Sequence, residues 1–311
     1  MSFFQALIPV IFMVVLGRFL ARRNIPPAEG WRAIERLCYL VFIPALIILV
    51  LWRAPLETVP WKIGLTLLVA QCGMALIGLI PALWKSTPGP SVGCIVQSNS
   101  RWNTFIALTI TGVLFGETGV ALTAICAAIM IPLANILSIL AFTYFGANES
   151  GVKRNPFAEL IRNPLVIACL IGAALNVSGI KPSGTFETIL ELVSEPAMAL
   201  GLMTVGAGID LKALRRAGIR TFFWSNVRLF GLPLVAVPFA HFALGVDGVP
   251  LVVIAICTST PTAVNGYILA KQMGGDAPFM ANLIAAQTAM SVVTMFLVYL
   301  STLWLIGGLP T

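Results

Sequence analysis

Polar residues interrupt two of the long apolar runs in this chain, and a bilayer tolerates such interruptions in few ways. Gln97, Ser98, Asn99, Ser100, Arg101, Trp102 and Asn103 fall between apolar residues 92–96 and 105–115. Thr258, Ser259, Thr260, Pro261, Thr262, Ala263, Val264 and Asn265 fall between 251–257 and 267–270. Arginine, proline and unpaired backbone are all costly at mid-membrane depth. Broken helix persists there only where it is buried in protein or lines a cavity. The membrane setting follows from composition. The chain is 59% hydrophobic and 10% charged, with a mean hydropathy of +0.97, whereas soluble domains carry about 25% charged residues.

About ten apolar spans of the usual ~20 residues are predicted, over roughly 3–22, 35–52, 61–84, 91–115, 117–145, 163–180, 185–209, 220–244, 249–273 and 278–306. The first lacks the basic leading segment and small-residue cleavage site of a signal peptide, and its arginines follow the apolar run. A loop beginning after Asn103 would leave about a dozen apolar residues before Gly116, too few to cross ~30 Å of hydrocarbon. The fourth span is therefore read as one interrupted helix, and the ninth likewise.

The net charge of +7 is a topology signal. With the N-terminus outside, 14 of the 19 Lys and Arg fall in cytoplasmic loops, among them Arg18, Arg32, Arg36, Lys85, Lys153, Arg154, Arg162, Lys212, Arg215 and Arg216. Only Arg53, Lys62 and Lys181 fall in outer loops, while Arg101 and Arg228 lie within spans. The positive-inside rule then puts both termini outside, in the periplasm of a bacterial inner membrane. A charge distribution of this kind argues against a nucleic-acid partner.

The two halves carry matching motifs in the same order. Pro9, Gly17 and Ile25 recur as Pro164, Gly172 and Ile180, each 155 residues on. Leu40-Val41-x-x-Pro44-Ala45 recurs as Leu192-Val193-x-x-Pro196-Ala197, and Asn103-Thr-Phe105-Ile106 as Asn265-Gly-Tyr267-Ile268. Five spans per half is an odd number, so the halves face opposite ways. The expected fold is all-α and integral to the membrane: two inverted five-helix repeats, residues 1–146 and 163–311, joined by a cytoplasmic linker over 147–162. The broken fourth and ninth helices then cross near the midplane, which in secondary transporters is where substrate binds.

A half-helix beginning at mid-membrane offers free N–H groups and a positive dipole end, both suited to a carboxylate. Arg101 adds a full charge on a fork that matches two carboxylate oxygens. Its alternatives are a structural pair with Glu195 or snorkelling to the surface. Asn99, Asn103 and Asn265 can cap broken helix ends or bind substrate oxygens. Pro261 explains the second break, since it removes a donor and fixes φ. Thr260 and Thr262 flank it. Asn135, after Pro132, and Gln287 are candidate cavity-lining polars, and Gln71 a weaker one. Glu195, just before Pro196, is the candidate carrier of a coupling proton or sodium ion; its alternative is an outer vestibule shared with Glu187 and Glu191. Arg228 is expected to snorkel to the cytoplasmic end of its span.

The six cysteines lie singly in apolar spans and read as packing residues, and lone His241 cannot build a metal site. Gly206-x-Gly208-x-Asp210 reads as tight helix packing followed by a membrane boundary. No metalloprotease, phosphate-loop or nucleophile-elbow motif occurs, so no enzyme, metal or cofactor is expected.

The motifs Arg101-Trp-Asn103-Thr-Phe-Ile-Ala-Leu, Asn163-Pro164-Leu, Gly201-Leu-Met-Thr-Val-Gly206-Ala-Gly208-Ile-Asp210 and Ser259-Thr-Pro261-Thr-Ala-Val-Asn265 together resemble the auxin efflux carrier family over nearly the whole chain. With its short central loop the chain is similar to the compact bacterial branch, described as carriers of malonate, malate and other small organic acids. The resemblance implies a fold like that of bile-acid and sodium/proton carriers. It also implies a carboxylate site at the crossover with Asn103, Asn265 and Pro261. A scaffold built mainly from spans one, two, six and seven would support it, and a homodimer would form through that scaffold. The first crossover here has Arg101-Trp102 where the family places a proline, which points to small, highly charged acids. Coupling to protons, to sodium or to neither is left open. A sodium-coupled carrier of a bile-acid-like or amino-acid-like anion is the alternative.

Overall fold

The computed structural model describes residues 3–53, 60–83, 87–147, 164–180, 184–209, 213 and 217–308. Apart from Ala147, the expected linker lies outside the described residues, as do Lys85, Lys153, Arg154, Arg162, Lys181, Asp210, Lys212, Arg215 and Arg216. Among the described residues every regular element is a helix. Six stretches are long and apolar enough to cross a membrane: Ala28–Arg53, Trp61–Leu83, Gly89–Phe145, Gly184–Gly208, Ile219–Ala243 and Ala277–Leu305. The protein is a multi-pass membrane protein. It folds as two compact units, and both draw on the two halves of the sequence.

Unit 1 comprises Met1–Pro60, Thr104–Ala128 and Leu160–Gly208. Its helices are α1 (Phe3–Arg22), α2 (Ala28–Leu37), α3 (Ile43–Arg53), the first part of α6 (Thr104–Phe145), α7 (Pro164–Val177), α8 (Gly184–Ser194) and α9 (Ala197–Gly208). The sequence places the start of the second span near residue 35, but helix already forms at Ala28. Residues 28–37 make an amphipathic segment ahead of the apolar run, burying only Trp31. A π turn over Cys38–Phe42 joins it to α3 just before Pro44. Proline has no N–H and crowds the preceding turn, which favours such a widening. At the matching motif of the second half, Glu195 and Pro196 form a turn between α8 and α9.

In lipid, helices gain little from hiding apolar surface from one another, and close backbone approach carries the packing instead. α1 and α9 meet this way. A Cβ on Gly17 would lie 2.0 Å from the Met203 carbonyl oxygen, and one on Gly206 1.9 Å from that of Val14. The small residues of the Gly206 motif are thus required by packing. α3 lies against α7 at Gly172, where a Cβ would fall 2.9 Å from Leu51 Cβ. The Asn176 amide then donates to the last carbonyls of α3, Leu51 O at 3.1 Å and Trp52 O at 3.0 Å.

Unit 2 comprises Trp61–Asn103, Ile129–Glu159 and Ile209–Thr311. It holds α4 (Pro60–Leu79) from Trp61 onward, α5 (Gly89–Ser100), the later part of α6, α10 (Ile219–Pro238), α11 (Gly248–Ser259), α12 (Gly266–Gln272) and α13 (Ala277–Leu305). α13 starts where its sequence says: Asp276 Oδ1 accepts from the Phe279 N–H at 3.0 Å, and Pro278 follows the cap. Two helices of 12 residues, α5 and α11, form the interior, with Ser91–Ser100 and Leu251–Ser259 buried throughout. At 1.5 Å per residue each is only ~18 Å long, well short of a bilayer crossing. Phe142, Trp224, Met280 and Leu283 pack around Cys94 and Ile95 of α5.

Candidate functional site

Both breaks lie in unit 2, and both are shorter than the polar runs suggested. α5 continues through Gln97, Ser98 and Asn99 to Ser100, and α11 through Thr258 to Ser259. Their hydroxyls turn back on the preceding turn. Ser100 Oγ donates to Val96 O (2.9 Å), Thr258 Oγ1 to Ile254 O (2.7 Å) and Ser259 Oγ to Ile256 O (3.0 Å). Satisfied in this way, they do not end a helix. The helices end where the backbone turns extended, at Arg101 (φ −90°, ψ 150°) and Thr260 (φ −65°, ψ 152°). Thr260 precedes Pro261, whose ring excludes helical geometry from the residue before it.

The two breaks bond to each other. The Asn103 N–H donates to Thr260 Oγ1 (3.3 Å), and Thr262 Oγ1 donates to Ser98 O (2.8 Å). Gln287, reaching in from α13, accepts from the Thr262 N–H (3.0 Å) and donates to Ser98 Oγ (2.6 Å). Gln71 donates to Ser100 O (2.6 Å) and Met130 O (3.1 Å), and Gln97 to Gly266 O (2.9 Å). A Cβ on Gly266 would sit 2.9 Å from that Gln97 nitrogen and would have to displace it. Three amide side chains therefore supply the partners that backbone freed by the breaks must find.

Arg228 completes the closure, and the expectation of a snorkelling charge is corrected. Its side chain is among the largest that are fully buried. Nε and Nη2 donate to Arg101 O at 3.1 and 2.9 Å, and Nη1 to Thr258 O at 2.7 Å. These carbonyls belong to the C-terminal ends of α5 and α11, where helix dipoles are negative and carbonyls lack partners. Two such ends hold a cation that would otherwise be drawn to the membrane surface.

The sequence candidates divide into groups. Arg101, Asn103, Asn135, Thr260, Thr262 and Gln287 come together at the breaks, with buried Pro261 between the two threonines. Arg101 is half-buried, and its Nη2 donates to Asn135 Oδ1 at 2.5 Å. A neutral amide thus holds one nitrogen of the guanidinium at a fixed place. Asn99 is buried and donates to Met74 O on α4 (3.3 Å). Asn265 is exposed at the start of α12, with no cap bond from its side chain. Glu195 belongs to unit 1, exposed in the turn between α8 and α9. Its neighbours Glu187 and Glu191 both accept from Arg53, which also reaches Glu117 at 3.2 Å. Sequence reading missed the roles of Arg228 and Gln97. Both carry the same signal as the residues it found, a strongly polar group inside an apolar helix.

Residues 2–299 match the model of a family described as membrane transport protein. A protein of Methanothermobacter thermautotrophicus called an uncharacterized transporter is 25% identical over 299 residues, 94% of this chain and 95% of that one. The uncharacterized transporter YfdV of Escherichia coli is 22% identical over 284 residues, 87% of this chain and 88% of its own, and so is that of Shigella flexneri.

Proposed function

The chain belongs to the membrane transport protein family of the auxin efflux carriers, and from that premise we propose that it is a secondary carrier of small organic anions. The cargo we favour is a dicarboxylate such as malonate or malate, moved by alternating access. Family membership marks a transporter rather than an enzyme. The finer reading rests on one observation: two broken helices bonded to each other, with the half-buried Arg101 fork presented beside Asn135. A guanidinium steadied by a neutral amide suits an anion that arrives from water, because the two carboxylate oxygens match its fork. With it goes the proposal that the halves are inverted repeats crossing at these breaks, in a bacterial inner membrane with periplasmic termini, as a homodimer.

Uptake of labelled malonate, malate and succinate into proteoliposomes tests the reading. The unaltered protein is expected to accumulate at least one of them, and Arg101→Ala to lose that uptake while remaining folded. Uptake indifferent to Arg101→Ala would remove the arginine from the site. A second reading, a sodium-coupled carrier of another anionic solute, has its own support. Gln71 Oε1, Gln97 Oε1 and Asn99 Oδ1 are buried acceptors without a hydrogen-bond partner among the described residues. Amide oxygens are hard ligands that suit a hard cation. Uptake driven by a sodium gradient and absent in potassium would decide for it.

A further inference from the structure

We infer that Arg228 is a positioning residue of the anion site: it fixes the peptide carrying Arg101 and so aims the Arg101 guanidinium at substrate. The inference rests on the reading of Arg101 as the substrate-binding charge. Two of the three Arg228 hydrogen bonds go to the carbonyl of Arg101 itself, and the third goes to Thr258 in the other broken helix. Thr262 Oγ1 approaches the same Arg101 carbonyl at 3.5 Å. That carbonyl sits where the chain turns from helix to extended. In such a stretch no ladder of helical hydrogen bonds holds the peptide plane, so side chains must. Holding the carbonyl from α10 and from the second break restrains the peptide from which the Arg101 side chain leaves, toward Asn135. Arg228 does this from a fully buried place.

The arrangement also ties the two breaks into one body. Any movement of α5 relative to α11 stretches a charge-assisted bond, and such bonds are roughly twice as strong as neutral ones. A lysine in place of Arg228 keeps the charge but has no planar fork to span two carbonyls. Arg228→Lys therefore separates positioning from charge, and it carries less risk of misfolding than a neutral variant.

The test is a double-mutant cycle on malonate, malate and succinate affinity in detergent, using the intact chain, Arg228→Lys, Arg101→Ala and the pair. Arg228→Lys alone is expected to weaken binding about 10- to 100-fold, the loss of hydrogen bonds to a charged group. In the Arg101→Ala background it should cost almost nothing, because the group it aims is gone. A purely structural role gives equal losses in both backgrounds, and that result overturns the inference while leaving the carboxylate reading intact. If the unaltered protein binds none of the three acids, the carboxylate reading falls by itself. Hydrogen exchange without ligand then decides. Faster exchange over residues 98–104 and 258–262 in Arg228→Lys and Arg228→Gln, with other helices unchanged, supports Arg228 as the residue that orders the break. Unchanged exchange there overturns it.

Discussion

Gln287 serves both breaks at once, and the chemistry of an amide explains why. Its oxygen takes the Thr262 N–H and its nitrogen serves Ser98 Oγ, two demands of opposite sign. Gln287→Leu leaves a buried N–H without an acceptor, which costs about 1–3 kcal/mol. A lower melting temperature in detergent is the expected outcome, and an unchanged one would show that Thr262 finds another acceptor. In the proposed anion site, Asn135 belongs to the substrate side. Asn135→Ala removes the partner of Arg101 Nη2 and loosens the guanidinium, so malonate affinity should fall about tenfold, near the worth of one charge-assisted bond. Much of this was legible in the sequence, because a polar residue inside an apolar span must answer to something. Which partner it answers to was not. Asn135 and Arg101 are 34 residues apart, and Arg228 is 127 from the carbonyl that it holds. Arg228 looked like a boundary charge for that reason. Spacing locates a residue along its own helix but does not say which helix ends converge on it.

At the scale of elements, the chain relies on a few positions where only glycine fits. Gly116 parts the 42-residue α6, Thr104–Phe145, and its backbone (φ 59°, ψ −144°) is one that side-chain-bearing residues strongly avoid. Nothing crowds the space around it, so Gly116→Ala tests strain alone. A loss of about 1–3 kcal/mol in stability is expected, read as a lower melting temperature. Gly206 is the opposite case. Its conformation is ordinary, but a Cβ would collide with backbone on α1, which cannot rotate away as a side chain can. Gly206→Ala must push α1 and α9 apart, at about 1–3 kcal/mol or more. The span pattern anticipated the Gly116 boundary, because apolar residues on both sides exceed one crossing. It overstated the breaks, since Ser and Thr hydroxyls bonded to the preceding turn look the same in sequence as those that leave the helix.

On the whole molecule, the two halves of the sequence and the two units of the structure cut the chain differently. The four spans that family resemblance assigns to a scaffold all fall in unit 1, and both breaks fall in unit 2. Periodicity could not show this division, because it depends on which helices touch and not on how each is composed. The charge pattern, in contrast, can be set against one cluster. Arg53, Glu117, Glu187 and Glu191 come from three separate outer loops or span ends of the proposed topology, and in unit 1 they form a single ion-pair cluster. Residues that must meet cannot lie on opposite sides of a bilayer, so the cluster supports a common side for all three segments. Glu187 and Glu191 stand one helical turn apart as like charges, and Arg53 between them offsets that repulsion. The side itself is testable in intact cells. Glu117 is 68% exposed, so Glu117→Cys should react with a membrane-impermeant maleimide added from outside. Thr87→Cys, between the third and fourth spans, should react only after the membrane is opened. The reverse pattern would invert the topology, and with it the positive-inside assignment. Labelling of both positions from outside would mean that α5 and the first part of α6 do not together carry the chain across as proposed.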